Sequence, residues 1–87
     1  MKGGHNVKIA VRFFASCREA VQQNEAELEL PEGSRVVDLQ RELARRFPPL
    51  AGRVEQVRYA VNGTYAQPDD PLNDGDEAAV IPPVAGG

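Results

Sequence analysis

Ser34-Arg35-Val36-Val37-Asp38-Leu39-Gln40-Arg41-Glu42-Leu43-Ala44-Arg45-Arg46-Phe47-Pro48-Pro49 reads as the one long helix of the chain. Val36, Leu39, Leu43 and Phe47 recur at spacings of three and four, which stacks them along one side of a 3.6-residue helix. Arg35, Asp38, Gln40, Arg41, Glu42, Arg45 and Arg46 fill the other sides. Ser34 stands where a hydroxyl caps a helix start, and Pro48-Pro49 ends the run. Arg41, Arg45 and Arg46 form either a basic patch or the cationic last turns that the helix dipole favours in any case. A helix with one apolar side has to lie on something apolar, and the flanking segments read as sheet.

Upstream, Val7, Ile9, Val11 and Phe13 alternate with Lys8, Ala10, Arg12 and Phe14, a period of two that makes a strand. Phe14 faces away from the core set, as packing for a second face or as part of an exposed docking patch. Ser16-Cys17-Arg18-Glu19 has the capping-box spacing and predicts a short helix to about Gln22. Cys17 falls inside it and reads as a small core residue rather than a nucleophile, since no base accompanies it. Glu25 to Leu30 alternates strictly, with Ala26, Leu28 and Leu30 inward, and Pro31-Glu32-Gly33 turns the chain into the long helix.

Downstream, a loop around Ala51-Gly52 leads to Val57–Val61, and Asn62-Gly63 is a strong hairpin signal because both residues accept positive φ. Thr64-Tyr65-Ala66 is the return strand. Leu72 is a core plug in the following loop, Asp74-Gly75 a turn, and Glu77–Ile81 the last strand. Strand, short helix, strand, long helix and three more strands make an α+β domain with the main helix on one face of a mixed sheet.

A chain of 87 residues holds one core, so residues 1–87 are expected to be a single domain, with a body over 7–81, a loose lead-in over 1–6 and an extended tail over 82–87. No apolar run approaches the ~18 residues of a membrane span and no secretory segment follows Met1, which predicts a cytoplasmic protein with no membrane partner. One cysteine and one histidine exclude a disulfide and a zinc site built from nitrogen and sulfur, so no metal is expected. The net charge of −3, spread through the chain, argues against nucleic acid.

The tail is Pro82-Pro83-Val84-Ala85-Gly86-Gly87. Glycines at an end are often mere slack, but here they follow a turn, a buried strand and a Pro-Pro stalk. Six residues reach roughly 20 Å when extended, and a Gly-Gly end enters a slot too narrow for any Cβ. Gly87 is therefore the candidate site of chemistry, with Gly86, Ala85 and Val84 threading behind it.

Four separated blocks then carry a resemblance: Lys8-Ile9-Ala10-Val11-Arg12-Phe13-Phe14-Ala15 with Arg18-Glu19; Ala60-Val61-Asn62; Pro71-Leu72-Asn73-Asp74-Gly75-Asp76-Glu77; and the Pro-Pro-Val-Ala-Gly-Gly end. The chain resembles the small subunit of molybdopterin synthase over nearly its whole length. That family implies the β-grasp fold of ubiquitin and a sulfur carrier of molybdenum cofactor biosynthesis. Gly87 would be adenylated by an E1-like activating enzyme that uses ATP, then converted to a thiocarboxylate by a sulfur donor protein. It would finally be inserted into the synthase large subunit, where its sulfur attacks a pterin precursor. The chain itself would bind no cofactor and contribute no catalytic side chain.

The family's docking positions fall here on Phe14, Arg18, Tyr65 and Ile81. Val80-Ile81 stands where the family often has aromatics. Two alternatives share the fold and tail: a sulfur carrier for thiamine, cysteine or transfer-RNA thiolation, and a ubiquitin-like protein modifier. The Phe-Phe-Ala block with Arg18-Glu19 favours the molybdopterin pathway over the shorter thiamine carrier, which lacks the inserted helix.

Overall fold

The computed structural model describes residues 5–83. Five strands form one mixed sheet: β1 (Asn6–Phe13), β2 (Glu25–Pro31), β3 (Arg58–Val61), β4 (Thr64–Ala66) and β5 (Glu77–Ile81). Helix α1 (Ala15–Val21) joins β1 to β2, and α2 (Val36–Arg46), followed by a 3-10 turn over Pro48–Leu50, joins β2 to β3. The strand order is β2-β1-β5-β3-β4, so the last strand in sequence is the middle strand in space. It runs parallel to β1 and antiparallel to β3.

The core forms where the alternating strands meet the helix. Val7, Ile9, Val11 and Phe13 of β1, Leu28 and Leu30 of β2, and Ala78 and Val80 of β5 share one buried cluster with Val36, Leu39 and Leu43 of α2. Burying side chains of this size stabilises by about 1.5–3 kcal/mol each. Phe47, at the helix end, is half-buried and meets Phe13 edge-on at 5.3 Å between ring centres. Leu50, unremarked in the sequence reading, is fully buried because the 3-10 turn after the two prolines folds it back under α1. Leu72 and Cys17 are buried as expected.

The hairpin is as the sequence predicts, with Asn62 at φ 52° and Gly63 at φ 87° closing β3 onto β4. Arg41 pairs with Asp38, and Arg45 and Arg46 with Glu42, so the three arginines are satisfied by their own helix.

Both helix starts depart from expectation. Ser34 does not cap α2: its hydroxyl donates to the Pro31 carbonyl at 2.6 Å, tightening the preceding turn. The free N–H groups of the first turn are met from far along the chain instead, Val36 N–H by the Asp70 carbonyl and Val37 N–H by the Pro68 carbonyl, both at 3.0 Å. Asp38 completes the start by accepting from the Arg35 N–H at 2.8 Å. Nor does Ser16 cap α1, because Phe14 is held extended by its N–H bond to the Val80 carbonyl and itself takes the cap position. The helix then begins at once at Ala15, which adopts φ 48°, a left-handed conformation that costs an alanine about 1 kcal/mol. Asn6, read as the end of a loose lead-in, belongs to β1 and pairs with Pro31, while the His5 carbonyl accepts from Glu32 N–H at 2.9 Å.

Candidate functional site

The site is organised by β5. Its start is clasped on both sides. Asn62 donates from its side chain to Asp76 Oδ1 at 2.9 Å and accepts at Oδ1 from the Glu77 N–H at 3.0 Å. Its backbone N–H donates to the Glu77 carbonyl at 2.8 Å. Asp76, almost fully buried, also accepts from the Asn73 N–H at 2.8 Å, and its carbonyl accepts from the Ala10 N–H. A buried carboxylate is tolerated because its oxygens are met in this way. These bonds hold the start of β5 in register between β1 and β3.

That end is Ile81, beyond which Pro82 and Pro83 offer no N–H and stop the ladder. Residues preceding proline are held extended, which carries the chain onward along the strand axis. Gly87, Gly86, Ala85 and Val84 lie outside the described residues.

Around this end the sheet's second face is free of helix. The register aligns Arg12, Ala79, Ala60 and Tyr65 in one row across β1, β5, β3 and β4. One step nearer the exit, Ile81 lies opposite Arg58, and Phe14 follows β1 on the same side. Among the described residues, Phe14 and Tyr65 are the large apolar side chains most open to solvent, at 42% and 62% exposure. Guanidinium groups lie near both rings: Arg12 is 6.0 Å from the Phe14 centroid and Arg58 is 5.6 Å from that of Tyr65. Arg18, on α1, shares a shallow cleft with Phe14, Arg12 and Glu25. Three of the four positions expected to dock a partner, Phe14, Tyr65 and Ile81, thus share one face of the sheet, and Arg18 borders it.

Among the described residues no cluster of three or more His, Cys, Asp or Glu could hold a metal ion, and no helix is long and apolar enough to cross a membrane. Cys17 is fully buried, and burial pushes its thiol pKa up, the reverse of what a nucleophile needs. Burial likewise pushes up Tyr59, whose hydroxyl donates to the Val54 carbonyl at 2.8 Å.

The ThiS family model matches residues 11–87. The chain belongs to the ThiS family. It is 37% identical to a molybdopterin synthase sulfur carrier subunit from Chlamydomonas reinhardtii, over 93% of this chain and 100% of that one. It is 38% identical to the subunit of the same name from Mycobacterium tuberculosis, over 93% and 99%. It is also 34% identical to small archaeal modifier protein 3 of Haloferax volcanii, over 93% and 100%. A Pyrococcus furiosus structure, provisionally named subunit 1 of a molybdopterin converting factor, superposes with a TM-score of 0.81 at 39% identity, over 90% and 99%.

The resemblance read from four blocks of sequence and the β-grasp fold it implied are thereby borne out. In this ThiS-family chain those blocks are now physically intelligible. The first is β1 and the turn into α1, the second and third are the two halves of the Asn62–Asp76 clasp, and the fourth begins at Pro82, where β5 has ended. The sequence reading missed the clasp because it assigned Asn62 to the hairpin alone. Its one available signal was a turn asparagine with a buried-side Asp76 fourteen residues on.

Proposed function

We propose that this chain is the sulfur carrier subunit of a molybdopterin synthase, a co-substrate whose Gly87 carboxylate carries the sulfur. A carboxylate is a poor electrophile. An activating enzyme first joins it to the α-phosphoryl group of ATP, with pyrophosphate leaving. A sulfur nucleophile supplied by a donor protein then attacks the acyl carbon, and AMP departs with the bonding electrons. The resulting thiocarboxylate enters the large subunit's pocket and attacks a pterin precursor there. Holding the end in that pocket turns a bimolecular attack into an oriented one.

The observation that carries this reading is the central placement of β5, clasped at Asn62 and Asp76 and ending in Pro82-Pro83 beside Phe14, Ile81 and Tyr65. It brings the chain to Pro83 from a hydrogen-bonded central strand, next to a surface suited to a partner's apolar contact. The names of the whole-length relatives support the pathway.

The similarity to a modifier protein favours one second reading, in which Gly87 ends in an isopeptide bond on another protein. Incubation with the cognate activating enzyme, ATP and a sulfur donor separates the two. A carrier gains the mass of one sulfur-for-oxygen exchange at Gly87, and a one-residue C-terminal extension abolishes the gain. An unchanged mass under conditions that load a known carrier defeats the proposal. Transfer to lysines of other proteins, with no thiocarboxylate accumulating, installs the modifier reading.

A further inference from the structure

Among the described residues, the cations around the end of β5 are all arginine. Arg12 and Arg58 stand beside Phe14 and Ile81 on the open face, and Arg18 shares the cleft beyond Phe14. The whole chain has only two lysines, Lys2 and Lys8, against eight arginines. Lys8, the lysine among the described residues, is not near the exit. Lys8 sits six residues before Phe14 on β1, roughly 20 Å back along the sheet at about 3.3 Å per residue. Its N–H donates to Asp74 Oδ1, at the opposite end of β5 from Ile81.

We propose that Arg12, Arg18 and Arg58 determine chemical selectivity: they supply positive charge at the tail root without an amine that the activated Gly87 carbonyl could acylate. This rests on the functional reading above, in which that carbonyl is made electrophilic. A lysine there would offer an intramolecular competitor to the sulfur donor. Its neutral Nζ would attack the acyl carbon, the leaving group would depart with its electron pair, the nitrogen would lose a proton to solvent, and a lactam would close the tail onto the body. The carrier would be lost irreversibly.

Magnitudes favour the arginine. At neutral pH about one lysine in 10³ is uncharged, whereas an arginine is rarer as free base by another two to three orders of magnitude. Tethering would make even that small amine fraction effective, because a short covalent connection supplies local concentrations of about millimolar. Covalent limits keep Lys8 out of this competition. Ile81 and Pro82 each precede a proline and run onward, leaving four residues, about 14 Å at most, to double back. That covers the distance to position 58 or 12 and falls short of Lys8. The chain's single thiol is excluded too, since Cys17 is fully buried in the core.

Nothing in the geometry demands guanidinium. The Arg12–Glu77 pair, at 3.7 Å and half exposed on both sides, is one a lysine also forms, and a lysine also sits over an aromatic ring. Arg→Lys variants therefore isolate the chemistry.

The test uses the full-length chain prepared as a Gly87 α-thioester, an electrophile that needs no enzyme. Wild type, Arg58→Lys, Arg12→Lys and, as a remote control at the start of α2, Arg35→Lys are followed by intact mass. Thermal melting verifies that each is folded. Arg58→Lys and Arg12→Lys should lose the thiol and settle at the mass of the free acid less one water. Their rate should rise roughly tenfold per pH unit from 7 to 9 with the free amine. Peptide mapping should place the link at the new lysine, while wild type and Arg35→Lys hydrolyse to the free acid. Folded variants that only hydrolyse overturn the inference, as does a wild-type chain that cyclises onto its own amines. A parallel incubation of wild type with the activating enzyme, ATP and sulfur donor reads the carrier function separately, so failure of one is distinguishable from failure of the other.

Discussion

At the scale of single residues, the surroundings of Cys17 are the reverse of those a nucleophile needs. Cys17 is fully buried, and burial raises its thiol pKa by disfavouring the thiolate. For a group whose folded pKa is raised, folding favours the protonated form. That contribution is complete below the unfolded pKa of about 8.5 and is lost only as pH climbs through the higher folded value. At pH 8 the folded chain should therefore resist iodoacetamide, with labelling appearing only under denaturing conditions. Rapid labelling of folded protein would contradict the burial. Glycine at 86 is expected to matter for the opposite reason, which is access. Gly86→Val keeps the terminal carboxylate but adds a branched side chain whose positive-φ conformations cost about 1–2 kcal/mol or more. Sulfur transfer should fall at least about tenfold, which corresponds to 1.4 kcal/mol. The melting temperature should hold, because the core cluster lies between Val7 and Val80. Normal transfer would mean that no narrow slot receives the tail.

At the scale of elements, the two asparagine-and-serine stories separate local from tertiary capping. Ser16 has the spacing of a cap but caps nothing, so Ser16→Ala should change stability by no more than about 0.5 kcal/mol. Asn62 has the look of a turn residue yet holds Asp76 and the Glu77 N–H, so Asn62→Ala should cost about 1–3 kcal/mol through unmet buried groups and a lost positive-φ preference. Urea unfolding of the two variants side by side measures both. Equal effects would show that the clasp holds nothing beyond the turn.

At the scale of the whole molecule, the sheet has two faces with different assignments. One is covered by α2 and supplies stability; the other, with Phe14, Ile81, Tyr65 and the arginines, is open where the tail leaves. Ile81→Arg puts a charge into the centre of that open face opposite Arg58, where a partner's apolar surface would desolvate it without a counter-ion. Affinity for the large subunit should drop about tenfold or more while circular dichroism stays unchanged. Undiminished binding by the folded variant would move the docking surface elsewhere.

What the sequence determined by itself was everything that depends on near neighbours. The period-two runs at Val7–Phe13 and Glu25–Leu30, the helical spacing of Val36, Leu39 and Leu43, and the Asn62-Gly63 turn were legible because each is set by side chains within a few residues. Four separated blocks of sequence, the Pro-Pro-Val-Ala-Gly-Gly end among them, sufficed for the family. What only the tertiary structure decided were the contacts that cross the chain. The N–H groups of Val36 and Val37 found carbonyls at Asp70 and Pro68, so Ser34 was released from a capping role it was well placed to perform. Phe14 was fixed by Val80 across the sheet, which made it the cap in place of Ser16. Leu50 was buried only because two prolines turned it under α1. β5, last in sequence, became central because a sheet orders its strands by which backbone edges remain free to pair, a quantity with no local trace in the chain.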